Sequence, residues 1–133
     1  MWRASEHSFS KASFEDMCVN KGPTLSVIQS DNNRVFGGYT SQNWIKYERV
    51  DISYSCTTDD KAWLFSFDHQ TKLKVKSGGA NAIAHSKTKY RILPTFGGGF
   101  DLSTYDNGHQ TTDSYSNLGY SYELPPGITY ATE

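Results

Sequence analysis

Alternating apolar and polar residues dominate the chain from Thr24 onward, and this period of two predicts β-strands. The stretches TLSVIQS and RVFGGYT flank Asp-Asn-Asn, which is a strong hairpin-turn signal. The stretch AWLFSF, residues 62–67, is apolar on both faces, so we expect a central strand that is covered on both sides. KLKVK is apolar on one face only, which is typical of the rim of a sheet.

Further short strands are predicted in the second half of the chain. AIAHS, TFGGGFDLSTY and LGYSYELP each have strand-like composition, and the last alternates leucine and tyrosine with smaller or polar residues. The segment from Ile45 to Asp60 has a weaker pattern and is predicted to be a loop. Many short strands separated by turns favour a mainly β or α+β fold, a two-sheet antiparallel β-sandwich with one or two flanking short helices.

One helix is predicted near the start, in FSKASFEDMCVNKG. Phe14, Met17 and Cys18 lie at positions i, i+3 and i+4 and form one apolar side. Ser10 or Ser13 can cap its first turn. A Gly-Pro pair follows and ends it.

Composition narrows the function classes. The chain has 133 residues, the usual size of one domain, and a formal net charge of −1. No basic cluster indicates nucleic-acid or anionic-membrane binding, and no apolar run is long enough for membrane insertion. The first ten residues lack the apolar core of a secretory signal, so we expect an intracellular, cytoplasmic protein.

Catalytic motifs are missing from the sequence. We find no GxSxG elbow, no phosphate-binding GxxxxGK[ST] loop and no GxGxxG after a strand. The histidines, at positions 7, 69, 85 and 109, do not have metal-ligand spacing. We therefore expect no enzyme activity, no metal and no cofactor.

Cys18 is the one residue with a plausible reactive role. Two cysteines do not form a disulfide framework in a domain of this size, so Cys18 and Cys56 are expected to be free thiols. Lys21 lies near Cys18, but the thiol is at the unfavourable end of the helix dipole. Two interpretations stay open: a redox-active thiol, or, as we favour, a small buried residue.

Glycines interrupt two apolar stretches. Gly37 and Gly38 lie between Phe36 and Tyr39, and the triple glycine at 97–99 lies between two phenylalanines. Glycine inside a strand marks a bulge or a close approach of neighbouring groups. No set of convergent polar groups accompanies these glycines, which favours a structural role over a ligand cleft.

Five blocks of the sequence cover nearly the whole chain: WRASEHSFSKASFEDMCVNKGPTLSVI, VFGGYTSQNW, DKAWLFSF, PTFGGGFDLS and SYSNLGYSYELP. Together and in this order they resemble one family, the TLDc domain of oxidation-resistance proteins. Leu93 departs from the family, which usually has glycine before Pro-Thr-Phe. The residues that match the family's motifs, all with an expected structural role, are Gly22, Pro23, Thr24, Phe36, Gly37, Gly38, Tyr39, Trp44, Phe65, Pro94, Thr95, Phe96, Gly97, Gly98, Gly99, Asp101 and Leu102.

The resemblance implies a β-sandwich and a non-catalytic regulatory role. Family members protect against oxidative stress, and they bind the vacuolar-type proton ATPase and regulate its assembly or activity. The resemblance brings no catalytic residue set. We expect residues 1–133 to form a single TLDc-like domain that lacks the family's last C-terminal strand or strands, in a shortened protein or an excerpt of a longer one. An uncovered sheet edge would then need a partner or a larger assembly.

Three functions follow as alternatives. The first is a protein-interaction domain, with Tyr39, Trp44 and Tyr90 as candidate contact residues because aromatic residues are enriched at binding hot spots. The second is a thiol-based redox protein that uses Cys18. The third, a glycan-binding sandwich, is disfavoured by the expected intracellular setting.

Overall fold

The structure, a computed structural model, describes residues 1–46, 54–86 and 91–128. These ranges contain two short helices and eight strands, with the following bounds: α1 Ala4–His7, α2 Lys11–Cys18, β1 Thr24–Gln29, β2 Val35–Thr40, β3 Tyr54–Thr57, β4 Trp63–Ser66, β5 Thr71–Lys74, β6 Ile83–Ser86, β7 Arg91–Phe96 and β8 Leu102–Tyr105.

The strands form two four-stranded antiparallel sheets. The first has the order β1-β2-β4-β5, and the second has the order β3-β6-β7-β8. Leu64 and Leu73 of the first sheet share one core with Ile83, Phe96 and Leu102 of the second. The predicted β-sandwich with flanking short helices is therefore confirmed.

The first hairpin follows the prediction closely. Strands β1 and β2 pair in continuous register from Thr24 opposite Thr40 to Gln29 opposite Val35. Asn33 in the turn has a positive φ of 59°, which asparagine tolerates better than most residues. The turn signal and the alternating flanks were sufficient here because the contacts are local.

The predicted helix forms as α2 and is capped by the first of its two candidate serines. The Ser10 hydroxyl accepts a hydrogen bond from the Ser13 backbone N–H at 3.2 Å. Phe14 is buried, whereas Met17 is partly exposed. The helix ends at Cys18, before the predicted stop at Gly22-Pro23, because Val19 is extended and forms a parallel bridge with Trp44.

The stretch TFGGGFDLSTY is two strands, so its prediction as one strand was wrong. Strand β7 ends at Phe96 and β8 begins at Leu102. Between them, Gly97 has φ 85° and Phe100 has φ 61°, values that reverse the chain instead of extending it. The triple glycine is therefore part of a hairpin connection.

Two further predictions need correction. LGYSYELP does not form a regular strand: Tyr122 makes an isolated bridge to Val75, and the neighbouring backbone N–H groups turn toward Asp101. The predicted loop from Ile45 to Asp60 contains strand β3, which pairs with β6. Residues 47–53 of that segment lie outside the described part of the chain.

Aromatic rings fill the centre between the sheets. Trp44 is fully buried, with its ring centroid 5.5 Å from that of Phe96 and 6.0 Å from that of Phe14. Tyr122 is also fully buried and lies 6.4 Å from Phe96. Its hydroxyl donates a 2.7 Å hydrogen bond to the carbonyl of Ala82, which meets the need of a buried phenol for a partner.

Candidate interaction surface

The outer side of the first sheet carries apolar side chains that remain open to solvent. The exposed fraction is 57% for Leu25, 62% for Val27 and 74% for Phe67. Between them lie three half-buried aromatic residues, Tyr39, Trp63 and Phe65. We call these six side chains the apolar face.

Strand register explains why these residues come together. Residues directly opposite each other in an antiparallel pair point to the same side of the sheet. Leu25 is opposite Tyr39, and Tyr39 is opposite Trp63. In the same way, Val27 is opposite Gly37, and Gly37 is opposite Phe65, which gives a second outward-facing row across the three strands.

The aromatic side chains of the face contact one another in a row. Tyr39 stacks on Trp63 with ring centroids 5.6 Å apart and planes 20° from parallel. Phe65 lies 5.9 Å from Trp63 and 6.3 Å from Phe67. These contacts hold the rings in defined positions, so the apolar face is preorganised.

The expected cover over both sides of the strand at 62–67 is therefore absent in the described chain. Ala62 and Leu64 are buried, as predicted for the inner side. The side that carries Trp63, Phe65 and Phe67 faces outward instead. Contiguous exposed apolar side chains of this kind are candidates for an interaction surface.

Two lysines border the apolar face on strand β5. Lys74 is opposite Trp63, and Lys72 is opposite Phe65. The Lys72 ammonium nitrogen lies 4.3 Å from the centre of the Trp63 ring, a cation–π contact. Among the described residues, neither lysine forms an ion pair with a carboxylate. At the hairpin end, by contrast, Arg34 pairs with Asp68 at 3.2 Å.

The glycine pair in β2 serves both sides of this sheet. An added Cβ at Gly38 would lie 2.7 Å from a methyl of Leu64 and 2.8 Å from the Phe96 ring, so this glycine makes room for the core. At Gly37 it would overlap the Ser26 carbonyl and lie 3.0 Å from the Phe65 ring. The missing side chain therefore lets Phe65 lie close over the strand.

Asp101 explains the second glycine motif. Its buried carboxylate accepts hydrogen bonds from the backbone N–H groups of Gly119, Ser121 and Tyr122 at 2.8–3.2 Å. A Cβ at Gly97 would overlap this carboxylate. The motif therefore fixes the segment around Tyr122 against the sandwich, and this long-range role was not visible in the sequence.

Asp59 has a similar role in the first sheet. The carboxylate accepts hydrogen bonds from the Thr40 hydroxyl, from the Ser41 N–H and hydroxyl, and from the Lys61 N–H, at 2.7–3.0 Å. Burial alone would raise its pKa, but these hydrogen bonds outweigh burial and hold the pKa of Asp59 below its ordinary value. The carboxylate therefore holds the end of β2 against the turn that precedes β4 as a structural acceptor.

The two thiols lie in surroundings that lower their reactivity. Cys18 packs against the hydrophobic core, and Cys56 is also partly buried. Burial raises the pKa of both thiols above the ordinary value; for Cys18 the nearby amino terminus opposes this only in part. Because the thiolate is the nucleophile, little of either residue is reactive at neutral pH.

The three predicted contact residues have different environments. Tyr39 lies on the apolar face. Trp44 is fully buried, so its prediction as an exposed contact was wrong; its indole N–H donates to the Thr24 hydroxyl at 2.8 Å instead. Tyr90 lies outside the described residues.

The remaining motif residues lie in the framework and not on the apolar face. The Gly22 N–H donates a 2.7 Å hydrogen bond to the Asn43 side chain, and Pro23 follows it into β1. Phe36 packs against the core, as do Phe96 and Leu102 from the second sheet. Four further motif residues lie in β7 or directly after it: Pro94, Thr95, Gly98 and Gly99.

Within the described ranges, no group of three or more His, Cys, Asp or Glu side chains could hold a metal ion. None of the described helices has the length and apolar character needed to cross a membrane. The geometry instead presents an antiparallel β-sandwich with one exposed apolar face, a class of domain suited to binding another macromolecule.

Comparison with known families agrees with the sequence resemblance. The whole chain, residues 1–133, matches the family model of the TLDc domain. The chain therefore belongs to the TLDc domain family. No curated protein matched the chain.

Sequence reasoning missed most of the apolar face. Leu25, Val27, Trp63 and Phe67 were not among the predicted site residues, although Tyr39 and Phe65 were included as family-motif positions. The available signal was an apolar pattern on both sides of β4 together with outward Leu25 and Val27 in β1. We interpreted that pattern as burial because sequence does not show how many layers cover a sheet.

Proposed function

We propose that this protein is a non-catalytic interaction domain of the oxidation-resistance type, which docks on the cytoplasmic part of the vacuolar-type proton ATPase through the apolar face. The observation that carries the proposal is the row of exposed and half-exposed apolar side chains on β1, β2 and β4. The choice of partner comes from the family resemblance.

The apolar face has the composition of a binding hot spot. Trp63 and Tyr39 are of the residue types most enriched at such sites, and they are already ordered by their stacking contact. Ordered rings lose little rotamer freedom when a partner covers them. Full burial of one exposed valine or phenylalanine contributes about 1.5–3 kcal/mol before the entropic cost of association is subtracted, so several side chains of this face would have to be covered together.

Regulation by such a domain needs no reacting group. A partner with two states shifts toward the state that the domain binds more tightly, by the difference between the two binding free energies. The hydrogen bonds of the Asp59 and Asp101 carboxylates hold loops against the sandwich, and a surface of fixed shape binds one state of its partner more tightly than another. Protection against oxidative stress would then follow indirectly from altered proton pumping.

The test is affinity capture from native lysate with three immobilised versions of the protein. The wild type should retain subunits of the proton ATPase, and Val27→Ser should lose most of them. Ile128→Ser is the matched control, because Ile128 is 58% exposed, close to the 62% of Val27, but lies outside the first sheet. Equal retention by all three versions, or none by the wild type, would contradict the proposal.

A further inference from the structure

The shape and charge of the apolar face define which kind of segment it fits. Apolar side chains extend across three strands and along three outward-facing rows, from Leu25 to Phe67. With strands about 4.8 Å apart and outward residues about 6.8 Å apart, the face measures roughly 10 Å by 14 Å. An α-helix is about 10 Å wide, and about nine of its residues span 14 Å.

An added β-strand fits this surface less well. A strand would pair with the open edge of β1 and would cover side chains near Leu25 and Val27. Trp63 and Phe65 lie two strands further in, on β4, and would remain exposed. A helix laid over β2 covers all three strands at once.

The charged residues beside the apolar face indicate which side of the bound helix is acidic. Lys72 and Lys74 lie along one long side of the apolar face, on β5, with no carboxylate paired to either among the described residues. Carboxylates on the matching side of an incoming helix would complete both pairs. On the β1 side, Leu25 and Val27 offer only apolar contact.

We infer that the apolar face binds an amphipathic helix of a protein partner, with an apolar stripe over β2 and β4 and acidic side chains over Lys72 and Lys74. The inference rests on the proposed use of this face for docking, and it adds the chemistry of the docked segment. The partner's helix would carry apolar residues at positions i, i+3 or i+4, and i+7, with Glu or Asp beside them.

The same side chains could in principle meet a lipid surface. The hairpin ends beside the face argue against this, because they carry Asp31 and the Arg34–Asp68 ion pair and so add no unpaired cation that would attract an anionic headgroup. Three of the four rings, those of Tyr39, Trp63 and Phe65, lie on strands β2 and β4 and are half-buried, and only Phe67 projects from a turn. A protein helix is therefore the occupant that the surface favours.

The experiment selects binders from a displayed library of random 16-residue peptides on the immobilised protein. We expect enriched peptides to share the helical apolar spacing and flanking acidic residues, and to compete with one another for one site. Phe67→Ser should abolish their binding, whereas the control Ile128→Ser should not. Enriched peptides without this pattern, or no enriched peptides at all, would overturn the inference.

Charge reversal tests the polarity directly. Lys72→Glu with Lys74→Glu should weaken an acidic selected peptide about tenfold, the effect of two exposed ion pairs. The same peptide with lysines in place of its acidic residues should bind the reversed protein better than the wild type. Equal affinities in all four combinations would contradict a role for these lysines.

Two other occupants are checked with the same variants. The first is lipid, tested by cosedimentation with vesicles of equal parts phosphatidylcholine and phosphatidylserine. If the wild type cosediments and Phe67→Ser does not, the face binds lipid and the inference is overturned. Concentration-dependent dimers lost in Phe67→Ser would assign it to a second copy, with the same consequence. If no peptide of the expected pattern binds but capture of the ATPase still depends on Val27, the helix inference is wrong and the proposed function stands. If such peptides bind but the ATPase is not captured, the helix inference stands and the proton pump is not the partner.

Discussion

Acid should destabilise the protein through His85. This side chain is fully buried beside Trp44, and burial lowers its pKa from 6.5 to about 4. Its Nε2 lies 3.0 Å from the Thr57 hydroxyl, and its Nδ1 accepts the N–H of Ile45 at 3.4 Å. Both nitrogens are thus used by the neutral ring, and a second ring proton would have no acceptor on the Ile45 side.

The magnitude follows from proton linkage. Between pH 6.5 and about 4 the unfolded chain binds a proton at this position and the folded chain does not, so stability falls as pH falls through this range. From pH 7 to pH 5 the loss is about 2 kcal/mol. For a chain of 133 residues this corresponds to a Tm lower by roughly 7 °C. Below about pH 4 both states bind the proton and this loss no longer grows.

The assay is urea unfolding at half-unit steps between pH 7 and pH 5, for the wild type and for His85→Gln. The variant removes the titrating group, so its stability should depend on pH less steeply than that of the wild type by about 2 kcal/mol over this range. Should the variant not fold, the NMR pKa of His85 in the wild type gives the answer. Identical pH slopes, or an NMR pKa near 6.5, would refute the reasoning.

Three further results are expected. Asp101→Asn should lower the free energy of unfolding by about 3 kcal/mol in urea titrations, because an amide replaces a buried carboxylate acceptor, and proteolysis should then cut first near Tyr122; an unchanged midpoint would contradict this anchoring role. Gly38→Ala should cost about 1–3 kcal/mol in thermal unfolding through crowding of the core, and an unaffected Tm would refute the close packing. Peroxide should be consumed negligibly by the wild type and equally by Cys18→Ser; consumption that the mutant loses would restore the redox function.

Local signals predicted the elements that local contacts determine. The β1–β2 hairpin and α2 follow from a turn triplet, alternation and a serine cap, all within a few residues. Strand β3 was not predicted, because its pairing partner β6 lies about thirty positions further along the chain and leaves no local signal. LGYSYELP shows the opposite error, because the Asp101 carboxylate takes the N–H groups that a strand ladder would use.

The site was harder to predict than the fold. Apolar residues on both sides of β4 are equally consistent with a buried strand and with an exposed binding face. Trp44 and Trp63 show how little the local sequence decides: Trp44 lies in a largely polar stretch and is fully buried, whereas Trp63 lies in an apolar stretch and borders solvent. Only the arrangement of the two sheets decides between them. The predicted absence of the last C-terminal strands stays a prediction, since residues 129–133 lie outside the described part of the chain.

Hydroxyl-radical footprinting of the protein, alone and mixed with purified vacuolar-type proton ATPase, tests the central claim most directly. The rings of Tyr39, Trp63 and Phe67 should lose most of their labelling when the ATPase is present. Tyr120, which is 58% exposed and lies outside the first sheet, should be labelled equally in both samples. Unchanged labelling of the three rings, or protection of Tyr120 alone, would contradict docking through the apolar face.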